Sequence, residues 1–222
     1  MDGGALVGEA AGGVFGVSGV ERGLLREADL PQRQAAFDKN TWLATQGIAP
    51  APGAQIISLF AYEPTRLAQW LHILSLQEQP QHLLVCAGRG QTAFAQTVTQ
   101  LGLQANQQLG WTLLPFLPQA EFDHLLWACD VNMVRGEDSL VRALWAGKPL
   151  VWDIYKQDDG VHWEKLKAFT QMYGASTDEA VAPINTDLML SWNDAQTSAS
   201  VLAAQWVRYV NAIPQLRQHA HN

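Results

Sequence analysis

Apolar and polar positions along this chain alternate between two periods. QIISLFAY (55–62) is an apolar run of strand length, and Pro64 then opens a stretch with Leu67, Trp70, Leu71 and Leu74 at helical spacing. HLLVCAG (82–88) reads as a second strand, continuously apolar as a strand covered on both faces should be. Gly88 and Gly90 turn the chain into a helix that ends near Gly102. WTLLPF (111–116) predicts a third strand, and Gln119 to Cys129 a helix with Phe122, Leu125 and Leu126 on one face. VNMV (131–134) predicts a fourth strand, Ser139 to Ala146 a short helix closed by Gly147, and PLVWDI (149–154) a fifth strand. Helices follow over Trp163 to Met172 and near 183–194 and 198–212. Upstream, Leu30, Ala35, Phe37 and Trp42 predict a helix over 30–43, ended by the turn APAPG.

Strands separated by helices mean βαβ units, so the expected fold class is α/β: a Rossmann-like open parallel sheet with helices on both faces. In such sheets the ligand lies beyond the carboxyl ends of the strands, at helix N-termini. Four segments should converge there: LFAYEP, CAGRGQ, PFLPQAEF and VRGEDS. The expected division is a glycine-rich leader (1–22), a helical lead segment (23–54), the ligand-binding Rossmann-like domain (55–215) and a frayed tail (216–222). The leader shows no helical period, and the three-residue spacing of Gly13, Gly16 and Gly19 is not the dinucleotide fingerprint.

The run Arg135-Gly136-Glu137-Asp138-Ser139 stands where the fourth strand should end and a helix begin. Asp138 or Ser139 is expected to cap that helix, whose free N–H groups and positive end form an anion site. A diphosphate fits there, with Ser139 adding a hydroxyl donor and Arg135 a fixed positive charge. Glu137 would repel a phosphate and suits sugar or ribose hydroxyls instead. Phe60 and Tyr62 alternate off the first strand, and Phe122 follows Gln119 at the start of a helix. Aromatic faces beside an amide can stack on and read a nucleobase.

Composition narrows the classes. A formal net charge of -7 argues against a duplex nucleic acid partner, since no basic stripe offsets the phosphates. No apolar run approaches the roughly 20 residues that cross a bilayer, so no membrane association is expected. The amino-terminal stretch lacks the basic region of a signal peptide, and Cys86 and Cys129 sit in apolar stretches as buried free thiols. The expected setting is cytoplasmic. Asp158 and Asp159 are adjacent and read as a charged turn, not a metal–diphosphate clamp. His162 reads as a surface residue, and His219 and His221 as parts of a terminus that binds no metal. No metal or other cofactor is expected.

SLFAYE (58–63), GLLRE (23–27) and LPFLPQAEFDHLLWACDVNMVRGEDSLVRALWAGKPLVWDIY (114–155) resemble the protein-arginine rhamnosyltransferases that modify translation elongation factor P. The resemblance covers roughly residues 20 to 215. It implies the carboxy-terminal half of a GT-B glycosyltransferase, transferring L-rhamnose from dTDP-β-L-rhamnose to an arginine of the factor with inversion. It places Phe60 and Tyr62 in the nucleotide pocket, Gln119 and Phe122 at the thymine, and Arg135, Glu137, Asp138 and Ser139 at the ribose, diphosphate and sugar. Glu137 is a candidate accessory in catalysis. The family's catalytic aspartates lie in a D-N-x-G-D type motif of an amino-terminal domain, and no such motif occurs here. The expectation is a donor-binding portion that is inactive alone, its catalytic base in a domain this sequence lacks. The alternatives are a non-catalytic dTDP-sugar-binding module or a GT-B transferase using another nucleotide sugar.

Overall fold

The computed structural model describes residues 27–157, 160–175 and 179–219. Five parallel strands form one sheet: β1 (Gln55–Leu59), β2 (Gln81–Val85), β3 (Leu109–Leu113), β4 (Val131–Arg135) and β5 (Leu150–Asp153), in the order β3-β2-β1-β4-β5. From β1 the chain builds outward through β2 to β3, then returns across the sheet to lay β4 on the other side of β1. The carboxyl ends of β1 and β4 therefore flank the point where the winding reverses, which is where an open α/β sheet leaves a crevice.

Strand alternation divides the core into two layers, because successive side chains point to opposite faces. Ile57, Leu59, Leu83 and Val85 join the larger cluster, against α3 (Leu67–Ser75) and the carboxy-terminal helices α7 (Val161–Ala175), α8 (Ala182–Asn193) and α9 (Ala199–His219). Ile56, Leu84 and Cys86 join the smaller one, with Trp42 and Leu43 of α2 (Lys39–Thr45) and Leu125 and Ala128 of α5 (Gln119–Ala128). Trp70 of α3 is fully buried and meets Trp192 and Trp206 edge-on at 5.5 and 5.3 Å between centroids, fastening α8 and α9 to the sheet. Two further helices complete the chain, α4 (Arg89–Gln100) and α6 (Gly136–Ala146), preceded by the short α1 (Leu30–Ala35).

Several boundaries differ from the sequence reading. The helix over 30–43 is two helices, because Asp38 interrupts it and accepts the Thr41 N–H at 2.6 Å as the cap of α2. The third strand lies two residues earlier than its apolar run, over Leu109–Leu113, since registry with β2 decides the pairing and pairs Gln81 with Leu109. The expected frayed tail is helical through His219 despite Pro214, because Leu216 is buried in the core. His162 is buried rather than at the surface, its Nδ1 accepting the Gln157 N–H at 3.1 Å. The leader, Asp158, Asp159 and His221 lie outside the described residues, as does the side chain of His219.

Candidate functional site: a crevice at the switch point

The Gly136 backbone sets the site. Its φ of 64° is open to glycine and strained for other residues, and it lets β4 turn at once into α6. The helix therefore starts three residues before the sequence reading placed it, with Glu137 and Asp138 inside its first turn. The expected side-chain cap is absent. Arg135 holds the cap position without a side-chain bond, and the Ser139 hydroxyl donates back to the Arg135 carbonyl. That bond is the local option of a serine within a helix, and it turns the predicted phosphate donor inward. Trp152 pins the turn from below, its indole N–H donating to the Gly136 carbonyl at 3.1 Å.

Above this turn lies a cavity of about 550 Å³. Its lining includes all eight residues singled out from the sequence: Phe60, Tyr62, Gln119, Phe122, Arg135, Glu137, Asp138 and Ser139. Phe60 and Phe122 meet edge-on at 5.3 Å and form an aromatic wall on the side of the β3–α5 loop, where Phe116 is also exposed. The Arg135 guanidinium lies 4.5 Å above the Phe60 ring and 4.7 Å above the Tyr62 ring. Among the described residues it makes no ion pair, though its charge favours the ionised form of the buried Asp153. A half-buried arginine held on aromatic faces keeps its five donors for a ligand.

A second cavity of about 440 Å³ continues past Tyr62 and Glu137 towards α7, bounded by Tyr155, His162 and Lys165. The two share Tyr62, Gly136, Glu137 and Asp138, so the start of α6 stands between an aromatic chamber and a polar one. Lys165 forms an ion pair with Glu137 there. Beneath Tyr62, Asp153 ends β5 and accepts the Tyr62 N–H at 2.8 Å and the Trp192 indole N–H at 3.0 Å. Burial raises its pKa, against the lowering effect of those two bonds. Cys86 also touches the aromatic chamber, and burial pushes its thiol up to about 12, which leaves it inert.

Other groups at the site were not found by sequence reasoning. Arg142 lines the aromatic chamber and is held by Asp123 at 2.6 Å and Glu27 at 2.7 Å, and Glu27 also accepts from the Gln119 amide at 3.1 Å. Arg142 follows Ser139 by three residues on one helix, a spacing that could have flagged it. Lys165 carried no such signal, because only the packing of α7 brings it to Glu137. Gly90 shows why CAGRG is glycine-rich: a Cβ there would lie 2.4 Å from the Ala61 carbonyl oxygen. The glycine serves close packing of α4 on the loop after β1.

The model of the family described as "Elongation-Factor P (EF-P) rhamnosyltransferase EarP" matches residues 14–222. The chain belongs to this family. A protein-arginine rhamnosyltransferase of Pseudomonas putida is 42% identical over 213 residues, covering 89% of this chain and 54% of that protein. One from Pseudomonas aeruginosa is 38% identical over 208 residues with the same coverage. A solved structure described as the structural basis for EarP-mediated arginine glycosylation of translation elongation factor EF-P superposes with a TM-score of 0.77 at 37% identity, covering 90% of this chain and 66% of that one. The chain thus spans about half the length of the curated relatives it matches.

Proposed function

We propose that this chain binds dTDP-β-L-rhamnose in the crevice and takes part in transferring the rhamnose, with inversion, to an arginine side chain of elongation factor P. The reading rests on one observation above all: the switch-point cavity joins an aromatic wall to an arginine that makes no ion pair among the described residues and to a helix start, in a member of a family named for that reaction. Thymine stacks against Phe60 and Phe122 while Gln119 reads its edge. Arg135 and the N–H groups of α6 hold the diphosphate, and Glu137 accepts from hydroxyls of the transferred sugar. In this assignment the chain forms the donor-binding half of a GT-B arrangement and works in the cytoplasm beside its acceptor. Among the described residues no helix is long and apolar enough to cross a membrane.

The chemistry follows from the charges. A guanidinium nitrogen attacks the anomeric carbon as the bond to the diphosphate oxygen breaks, and dTDP leaves with the electron pair. Arg135 and the helix start stabilise the charge that grows on the leaving diphosphate, without calling on a metal. The nucleophile must lose a proton to a base on the opposite face of the sugar. Calorimetric titration tests the donor assignment: dTDP-rhamnose binds more tightly than UDP- or GDP-sugars, and a chelator leaves its affinity unchanged. Equal affinities for the three bases would remove the thymidine assignment.

A further inference from the structure

Glu137 creates a conflict within the proposed site. It stands in the first turn of α6 and lines both cavities, next to where Arg135 and the helix start would draw a diphosphate. A carboxylate beside a diphosphate repels it. Arg142 cannot relieve it, being held by Asp123 and Glu27. Lys165 can. It reaches in from α7, 28 residues away in sequence, and pairs with the Glu137 carboxylate at the edge of the second cavity. His162, three residues before it, is buried and bonded to the Gln157 N–H, which fixes the start of α7. The paired side chains are 38% and 41% exposed, so the pair adds little to the stability of the fold.

We propose that Lys165 is a positioning residue for donor binding: its ammonium holds the Glu137 carboxylate and cancels its charge, so that one helix start serves both the diphosphate and the sugar hydroxyls. The inference rests on the donor reading above and deepens it. Lys165 acts through Glu137, and its effect appears with dTDP alone, before any sugar is bound.

Calorimetric titration of dTDP into the wild-type protein, Lys165→Met, Lys165→Arg, Glu137→Gln and the double variant Glu137→Gln/Lys165→Met tests this. Lys165→Met weakens dTDP roughly tenfold at low salt, and the loss shrinks at high salt. Lys165→Arg stays near wild type, and Glu137→Gln binds dTDP at least as well as wild type. The double variant regains the affinity of Glu137→Gln, because no uncompensated carboxylate remains; that recovery also shows that losing Lys165 leaves the fold intact. A double variant as weak as Lys165→Met overturns the inference, since Lys165 would then touch the phosphate itself. So does a Lys165→Met protein that binds like wild type. Failure of the wild-type protein to bind dTDP overturns the donor reading, and the inference with it.

Discussion

Arg135 is the residue on which the site turns. Its charge lies on two aromatic faces and, among the described residues, it makes no ion pair. Replacing it with Gln removes about 1–3 kcal/mol of nucleotide-diphosphate binding, the range for a charge-assisted hydrogen bond. The salt dependence of binding falls with it. Folding stability drops by about 1–2 kcal/mol, since two cation–π contacts and the favourable field of Arg135 on Asp153 are lost. Paired titrations and thermal melts check this, and a large loss of stability with affinity intact would assign Arg135 to the fold. Phe60, Tyr62, Gln119, Phe122 and the Arg135–Ser139 run were legible in the sequence because each stands at the end of a strand or the start of a helix. Ser139 was legible as a position and not as an orientation. Its hydroxyl satisfies itself on the helix backbone, a choice made by φ and ψ at Arg135 and Gly136.

At the scale of elements, β5 holds the loop after β1 in place. Asp153 is the joint: one oxygen accepts from the Tyr62 backbone and the other from Trp192 on α8. An asparagine can accept at one of these and turns an NH2 towards the other donor. Asp153→Asn therefore costs about 1–3 kcal/mol of stability and loosens Tyr62, measured by chemical denaturation and nucleotide titration. The pH dependence carries a definite sign. Burial raises the folded carboxyl above its ordinary 3.8, so the ionised form is penalised in the folded state. That penalty is full above the raised pKa and fades as pH falls through it towards 3.8, so this group's contribution to stability improves on acidification across that window. The asparagine variant lacks this component, and an unchanged pH profile in Asp153→Asn would count against it.

For the whole molecule, the placement of the carboxylates at the crevice bears on the proposed transfer. Glu137 is paired with Lys165 and Asp138 follows it, so both flank the helix start assigned to the departing diphosphate. An inverting displacement needs its base across the sugar from that point. On the proposed function, the expected outcome is that a polypeptide of residues 1–222 binds the donor and leaves elongation factor P unmodified. General-base assistance is worth roughly 10²–10⁴ in rate, and the positioning of two substrates adds several kcal/mol more. Intact-protein mass spectrometry of the factor after long incubation with dTDP-rhamnose checks it. Stoichiometric addition of a deoxyhexose would show that this polypeptide supplies its own base.

The alternation of periods by itself determined the class of fold, the five strands and the end of the sheet that carries the crevice, because those follow from local periodicity and the geometry of βαβ units. It also placed the aromatic and charged residues that meet there, since a strand end and the next helix start are neighbours in sequence. Three things waited for the tertiary structure. Registry against β2 moved the third strand off its most apolar residues. Burial of His162 and Leu216 reversed the reading of two polar or terminal positions. The partners of the charged groups, Lys165 with Glu137 and Glu27 with Arg142 and Gln119, join residues 28, 115 and 92 apart. Periodicity reports which face a residue lies on, whereas an ion pair depends on which distant element packs beside that face.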